Sequence, residues 1–547
     1  MFFSDIPNYL TILVLRRSIL LLVGIFSLFS VPLPAQDRII VRDYAQLNTI
    51  VADGENAPFW LVSDRGGLSS LDVQNGFARY GVVIGASISK NGKWNSSSGL
   101  ELAVGYNNDN SPVLRQLYAD ISYKWLTLSI GAKERRPEMR DFGALGSVSG
   151  NDALNTLKGL SFCGLTELGT GGLVHSGNSS PIPQVRIGVP EYVAIKGTGS
   201  WLKLRGHIAY GMFMDGKFQK DFTAGNPEEK YNKYVLYHSK ALFMKVGNES
   251  RFPLEIEGGL EMHSQFGGNV YNHSEGKTLS MPTRLVDFMK ALIPVGGDEM
   301  VPYTEQSNIT GNQIGNWHLA LTLHTKPVDV TLYGEHMFED FSQLFFIEYQ
   351  NNKDNKRTLV YYPWRDLMVG ISLRNKSGFL GFISGIQYEY VSTYDQSGAC
   401  YNDPSKHFIE QMDGWDNYYN HAIYSGWHYY GMPMGNPLLF SPLYNNDGSL
   451  EFKGNRLKAH HFGANGAFGR RKEFLYRLMC TYSENWGTYV NPFFEKRYTT
   501  SMLADFTYAP DGKSWFLSAS VAHDCSNHIG NNTGVMFCFV KSGGFKS

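Results

Sequence analysis

Aromatic and amide side chains are concentrated in one segment of the sequence, residues 413–436. A sugar-binding site needs aromatic rings that stack on pyranose faces, and amides and carboxylates that bond to hydroxyl groups. We therefore expect this segment to form a polysaccharide-binding site. The alternative is that its aromatic side chains pack on one another in a folded loop. The residues assigned to the site are Trp415, Asp416, Asn417, Tyr418, Tyr419, Asn420, His421, Trp427 and Asn436.

A second candidate set is basic and lies on one predicted strand. In the segment Trp201–Tyr210, Lys203, Arg205 and His207 share one face, opposite leucine and isoleucine. These side chains could meet the acidic sugars of an anionic polysaccharide. Charges inside barrels usually neutralise one another, so we expect ion pairs with acidic residues across the interior. The acidic partners considered are Glu101, Asp120 and Glu335.

A charged run, Lys-Glu-Arg-Arg at residues 133–136, ends another predicted strand. Charge runs of this kind are usually solvated. We therefore expect a strand tip in water, and the alternative is a contact with an anion.

The sequence lacks the familiar patterns of metal sites and catalytic centres. It contains no H-E-x-x-H, D-x-D-x-D-G or C-x-x-C spacing, so it gives no support for zinc, calcium or thiol redox chemistry. The segment Gly159–Cys163 matches only part of the G-x-S-x-G elbow. The five cysteines are widely spaced and are expected to be free thiols, and the alternative is a disulfide such as Cys400–Cys525, which no spacing selects. We expect no catalytic residue, no metal and no cofactor, and a hydrolase is the third hypothesis.

The composition favours a membrane protein built from strands. The 49 basic and 50 acidic residues balance, which argues against a nucleic-acid partner. Charged residues make up 18% of the chain, compared with roughly 25% in an ordinary soluble domain. Aromatic residues reach 14%. This mixture suits strands that face lipid on one side and water on the other.

The first residues resemble an export signal. Arg16 and Arg17 precede an apolar run, Ile19–Val31, and Pro32–Gln36 offers a cleavage region. We therefore expect residues 1–36 to be a cleaved signal peptide and residues 37–547 to be one domain. The alternative is an uncleaved helical anchor. Beyond residue 36 no apolar run approaches the roughly 20 residues that a membrane helix needs.

From residue 80 onward, apolar and polar residues alternate in many short segments. Clear examples are Gly99–Tyr106, Trp201–Tyr210 and Trp317–His324, and roughly 16–18 such segments fit the even strand numbers of bacterial barrels. Their length suits a tilted strand that crosses a bilayer, and aromatic residues mark many of their ends. The polar faces hold charges of both signs, which a dry sandwich core would not tolerate. The expected fold is all-β, a transmembrane antiparallel β-barrel.

Two segments interrupt this pattern. Residues 281–293 carry Leu285, Phe288, Met289 and Leu292 at helical spacing, which predicts a short helix. Residues 393–455 form the longest non-repeating stretch, and a loop of that length is usually functional. We expect the small helices and long loops to close the lumen of the barrel.

Several segments, taken in order, resemble the capsule-assembly Wzi family in its longer form. The first begins Ala-Pro-Phe-Trp-Leu-Val at residue 57, and a later one contains Ser-Gly-Asn-Ser-Ser-Pro-Ile-Pro-Gln-Val-Arg. Together they span most of the chain that follows the predicted signal. The segments are Ala57–Ser70, Arg115–Tyr123, Ile130–Glu134, Leu173–Arg186, Gly206–Gly211, Gln219–Phe222, Asp416–His421, Gly426–Trp427 and Gly435–Leu438.

The resemblance implies an outer-membrane barrel of eighteen strands that acts as a lectin and holds capsular polysaccharide at the cell surface. The family offers no catalytic residues to transfer. The implied partners are capsular or surface polysaccharide, outer-membrane lipid and, during biogenesis, the barrel-assembly machinery. The leading hypothesis is therefore a non-catalytic binding protein, and the main alternative is a diffusion channel for sugars or glycans.

Overall fold

The computed structural model describes most of the chain beyond residue 38. The predicted signal peptide, residues 1–36, lies outside the described residues. The described ranges are 39–89, 92–108, 113–135, 167–273, 276–293, 311–339, 347–351, 357–361, 365–376, 378, 380–396 and 416–546.

Eighteen strands form one antiparallel sheet that closes on itself. Each strand pairs with the next along the chain, and the last pairs with the first from Asp53↔Thr533 to Ile40↔Lys546. Closure leaves no free sheet edge and satisfies the backbone groups that lipid cannot bond. The prediction of a barrel with about eighteen strands is confirmed. The strands β1 to β18 are, in order, Ile39–Asp53, Gln74–Ser87, Trp94–Tyr106, Leu114–Tyr123, Leu126–Ala132, Pro183–Ala194, Leu202–Met212, Leu236–Val246, Leu254–Phe266, Asn312–His324, Val328–Glu339, Leu367–Asn375, Ile383–Ser392, Leu457–Phe468, Phe474–Gly487, Pro492–Tyr508, Trp515–Ser526 and Asn532–Lys546.

Side chains alternate between an exposed outer face and a buried inner face. On β8, Leu242 is 56% exposed whereas its neighbour Phe243 is fully buried. On β3, Val104 is exposed whereas Glu101 and Ala103 face the interior and are buried. Large apolar side chains such as Leu242 and Val104 occupy exposed outer positions, as expected for a belt that hydrocarbon covers, and polar residues such as Glu101 line the lumen.

The two ends of the barrel differ in their connections. Short turns, such as 124–125 and 325–327, join strands at one end, which we call the turn end. Long segments, including 133–182, 213–235 and 393–456, join strands at the other, the loop end. In outer-membrane barrels the short turns are periplasmic and the long loops are extracellular.

Several loop-end segments enter the lumen and pack together as a plug, which we define as residues 57–70, 167–182 and 416–456. Their apolar side chains form one core with inward-facing residues of the wall. The described part of the predicted 393–455 loop contains only a short strand pair, His428–Tyr429 with Met432–Pro433, and a 3-10 turn, Pro442–Tyr444. The described part of the plug is thus folded loop with only short regular elements.

The described helices are short: α1 is Phe59–Val62, α2 is Gly216–Phe222 and α3 is Leu285–Leu292. None of the described helices is long and apolar enough to cross a membrane. Helix α1 belongs to the plug. Helix α3, the helix expected over residues 281–293, differs from the prediction because it lies on the outer face of the wall and not in the lumen. At that position the helix covers outward-facing polar residues of β8, which would otherwise face lipid.

Candidate functional site

The structure places the most aromatic part of the predicted sugar site inside the plug. Tyr418, Tyr419, Trp427 and Asn436 are all fully buried. The Trp427 indole N–H donates to the carbonyl of Val174 at 2.9 Å. The faces of these rings are therefore covered by neighbouring plug residues, which is the packing arrangement that the sequence left open. Trp415 lies outside the described residues.

The remaining predicted residues, Asp416, Asn417, Asn420 and His421, are half-buried at the edge of the plug. The Asn420 amide donates to Asn417 Oδ1 and to the carbonyl of Phe452, each at 3.0 Å. His421 Nδ1 accepts backbone N–H groups that follow it in the chain. These polar groups shape the loop, and a role in sugar binding stays a prediction.

Carboxylates on the lumen wall hold the plug by its backbone. Each of four inward-facing acidic side chains accepts a plug N–H group, and hydrogen bonds to a charged acceptor contribute about 1.5–3 kcal/mol each. Sequence reasoning missed this role because the alternation of a strand looks the same whether its inward acidic residue accepts a backbone N–H group or pairs with a basic side chain. The pairs are Asp524 with Phe59 at 2.8 Å, Glu389 with Thr170 at 2.7 Å, Glu335 with Leu173 at 2.8 Å and Glu339 with Tyr419 at 2.7 Å.

The plug segments also bond to one another. The amide of Asn436 donates to Thr170 Oγ1 at 3.0 Å and to the carbonyl of Gly171 at 2.9 Å. The Tyr419 hydroxyl donates to the carbonyl of Leu173 and accepts the Asn436 N–H. Segments far apart in the chain therefore form one folded unit.

The basic row on β7 faces the lumen, as predicted, and is paired. Lys203 Nζ lies 3.2 Å from Glu255 Oε1, and an Arg205 nitrogen lies 3.6 Å from Glu257 Oε1. His207 Nε2 contacts a serine hydroxyl on β8 at 3.1 Å.

The acidic partners differ from the three considered in the sequence. They come from β9, two strands along the same wall, because long side chains reach a near neighbour more easily than the opposite wall. Glu101, one of the expected partners, is instead 3.0 Å from Arg115 on the adjacent strand β4. Asp120 is paired with Lys133, and Glu335 holds the plug N–H of Leu173.

A polar cavity of about 40 Å³ lies where the plug meets β5, β6 and β9. The prediction that residues 133–136 form a solvated tip is wrong for Lys133, Glu134 and Arg135, which are half-buried at this cavity. Arg136 lies outside the described residues. Sequence reasoning had offered an anion contact as the alternative role of residues 133–136, and had noted 173–186 only as a place of family resemblance. The residues that line the cavity include Lys133, Glu134, Arg135, His175, Gln184, Arg186, Tyr237, Glu261 and His263.

Basic groups are in the majority around this cavity. Lys133 is 2.5 Å from Asp120, and Arg135 donates to the carbonyl of Lys133 at 3.0 Å. Gln184 Oε1 is buried and has no hydrogen-bond partner among the residues that the structure describes. A volume of this size holds a few waters, so the cavity suits a small anionic substituent with an adjacent hydroxyl rather than a whole sugar ring.

The acidic side of the cavity is occupied by internal bonds. His263 contacts Glu261 at 2.8 Å through Nε2 and the Tyr237 hydroxyl at 2.6 Å through Nδ1. Glu134 lies 2.7 Å from Arg115. Both carboxylates therefore already have a partner, and Lys133 is likewise paired with Asp120. Three basic side chains, Lys133, Arg135 and Arg186, line the cavity against two carboxylates, and this excess of positive charge favours an anion.

A group of possible metal ligands lies at the turn end, where single ligand atoms of Glu249, His324 and Asp329 are within 4.8 Å of one another. Lys376 Nζ is 2.6 Å from Asp329 and 3.1 Å from Glu249. Arg374 adds a contact of 2.7 Å to Asp329. The two side-chain cations neutralise the cluster, so it is an ion-pair network and not a candidate metal site.

Comparison with known proteins adds information on the fold. No family model matches the sequence, and no curated protein matches it. Among solved structures, the chain is similar to Wzi, an outer-membrane protein involved in group 1 capsule assembly in Escherichia coli and a carbohydrate-binding β-barrel. That alignment has a TM-score of 0.50 and 11% identity, and covers 91% of this chain and 83% of Wzi.

Weaker likenesses link the chain to Pseudomonas aeruginosa barrels. OccK5 aligns with a TM-score of 0.43 and 8% identity over 93% of this chain and 98% of its own. OprD aligns with the same TM-score and identity over 93% and 95%. At 11% identity, the likeness to Wzi shows the fold of an outer-membrane barrel and no more.

Substitution of Glu389 tests whether the wall holds the plug. Glu389→Ala removes the acceptor of the Thr170 N–H and of its hydroxyl, and each buried group left unbonded costs about 1–3 kcal/mol. We expect the variant to show bursts of ion conductance in planar bilayers that the native protein lacks. Glu228→Ala, on the exposed part of loop 213–235, is the matched control and should show no ion conductance. If Glu389→Ala also showed no ion conductance, the role assigned to Glu389 would be contradicted.

Acid should loosen the plug. Burial lowers the pKa of His428 to about 4 and that of His421 to about 3. Both are neutral in the folded plug, so their stabilisation is complete above the ordinary histidine pKa near 6.5 and is lost as the pH falls towards 4. Burial raises the pKa of Asp215, 3.9 Å from His428, to about 6, which opposes the histidines below that pH.

Burial also lowers the pKa of His528, which packs against the plug residue Phe440, to about 3, and raises the pKa of the plug residue Glu451. With three histidines against two carboxyls, we expect the near-ultraviolet circular dichroism of the plug aromatics to weaken between about pH 6.5 and pH 4 while the strand signal persists. His428→Gln should reduce this loss. An aromatic signal that is unchanged across this range would show that the buried histidines do not control the plug.

Proposed function

We propose that the chain is a non-catalytic outer-membrane protein that binds polysaccharide at the cell surface. The observation that carries the proposal is the folded plug, which is bonded to the lumen wall by Asp524, Glu335, Glu339 and Glu389. A diffusion channel needs a continuous path of water, and a plug fixed by buried hydrogen bonds works against one. A binding protein needs only a rigid frame that presents its site.

The polar cavity is the part of the frame best suited to a ligand. Lys133, Arg135 and Arg186 line it, and a guanidinium can bond a carboxylate through two parallel N–H groups. The unsatisfied Gln184 oxygen could accept a sugar hydroxyl. The ligand that fits is an acidic polysaccharide whose carboxylate enters the cavity while the sugar ring remains outside.

The polysaccharide would be retained at the cell surface because it contacts many copies of the protein. A single small anionic contact is weak, but a polymer that engages many copies of the protein gains effective concentration for each further contact. The segment resemblance to the Wzi family and the fold shared with Wzi support this proposal without fixing the glycan.

Deletion of the gene tests the function in cells. We expect capsular or surface polysaccharide to move from the cells into the medium, as seen by staining of both fractions. Polysaccharide that remains bound to the cells in normal amount would refute the proposal.

Substitution of Arg186 tests the site. Arg186→Ala should weaken binding of an acidic oligosaccharide to the purified protein by about 10- to 100-fold, the effect of losing one charge-assisted contact, as measured by calorimetry. Lys217→Ala, on the exposed surface of α2, is the control and should bind normally. Normal binding by Arg186→Ala would show that the site lies elsewhere. If the native protein and both variants failed to bind the oligosaccharide, and the native protein conducted ions steadily, the results would favour a channel.

A further inference from the structure

Helix α3 lies against the outside of the barrel wall. On β7, Ile208 is 41% exposed and shares its face with Tyr210, so Tyr210 also points outward. The Tyr210 hydroxyl donates to the carbonyl of Phe288 in α3 at 2.8 Å. The rings of Phe266, at the end of β9, and Phe288 are 5.1 Å apart. The helix therefore covers the loop end of β7 to β9 from the side that faces away from the lumen.

Two outward-facing residues of the wall beneath α3 are polar. Lys240 lies on the same face of β8 as the exposed Leu242. Its ammonium group donates to the carbonyls of Ala291 at 2.9 Å and Leu292 at 2.7 Å. The last carbonyls of a helix are unsatisfied within the helix and attract cations, so α3 satisfies a charge that hydrocarbon could not.

A second polar residue is hidden by the same cover. His238 also points outward on β8, yet it is fully buried, and its ring lies 4.4 Å from that of Tyr210. Without α3 an imidazole and an ammonium group would face lipid, which is costly. The contacts fix the inner face of the helix.

The opposite face of α3 is apolar and uncovered. Leu285 is 82% exposed, Val286 46%, Met289 49% and Ile293 60%. The polar groups at the start of the helix are turned to one another, since the Arg284 N–H donates to Asp287 Oδ2 at 2.7 Å and its guanidinium lies 2.9 Å from Asp287 Oδ1. Soluble surfaces rarely expose such a contiguous apolar patch.

This apolar face continues the lipid-facing belt of the barrel. Leu292 and Lys240 line an open apolar groove with a volume of about 1500 Å³ on the outer wall. The same surface includes Leu204, Leu242 and Met244, all on outward positions of β7 and β8. The exposed side of α3 and the barrel belt therefore border one another.

We propose that α3 is an interfacial helix that inserts its Leu285–Met289–Ile293 face into the membrane leaflet at the loop end. The partner is lipid, because the patch is continuous with the belt that lipid already covers. Helices of this kind lie along the boundary between headgroups and acyl chains with the apolar face buried. The helix thus has two roles: it shields Lys240 and His238 from lipid, and it widens the membrane footprint on one side of the barrel. This proposal does not depend on polysaccharide binding.

A fluorescent probe at position 285 tests the proposal. The full chain, with its native cysteines replaced by alanine, carries Leu285→Cys labelled with an environment-sensitive dye and is folded into phosphatidylcholine vesicles. We expect at least a two-fold stronger quenching by lipids with a doxyl group near the headgroup than by iodide in the water. Met289→Cys serves as a second position in case one variant folds poorly.

Two labelled controls calibrate the result. Leu242→Cys, on the outer wall, should be quenched by the doxyl lipids, and Lys217→Cys, on the exposed surface of α2, should be quenched by iodide. If the probe on α3 behaves like the one at position 217, the helix lies in water and the proposal fails. Protection from both quenchers would indicate a protein contact, such as a second copy of the chain, and would equally overturn it.

Discussion

The structure depends on carboxylates of the lumen wall that accept backbone N–H groups of the plug. A loop drawn into a barrel brings peptide groups that must be hydrogen-bonded once water is displaced. The plug satisfies part of this need internally, through contacts such as that of Asn436 with Gly171. The wall supplies the rest through Asp524, Glu335, Glu339 and Glu389. The interior that the described residues form is therefore a folded core.

On the outer face, too, a charged side chain of the wall bonds to backbone groups, but the charge is positive and the backbone groups are carbonyls. Inside, anions of the wall meet N–H groups of the plug; outside, the cation Lys240 meets carbonyl groups at the end of α3. In both places a charged side chain on a strand is matched by unpaired backbone groups of a loop-end segment. Other charges of the described wall pair along the sheet, as Lys203 does with Glu255.

Sequence patterns predicted the barrel because strand alternation is local: each residue's face follows from its neighbours, as at Val104 and Ala103. The burial of Trp427 could not be predicted, since stacking on a sugar and packing in a core require the same side chain. The position of α3 escaped prediction because Phe288 and Met289 place apolar groups on two faces of the helix, and periodicity does not say which face meets the barrel. The partner of Lys203 depends on the register of strands distant in the chain, which no local pattern contains.

Amide hydrogen exchange of the plug tests the account most directly. The N–H groups of Thr170, Leu173 and Tyr419 each donate to a buried wall carboxylate. Measured by mass spectrometry on the protein in lipid nanodiscs, the peptides that contain them should exchange as slowly as the strand β11 to which two of them are bonded. Exchange as fast as that of the exposed loop around Glu228 would show that the plug is not held and that the lumen is open.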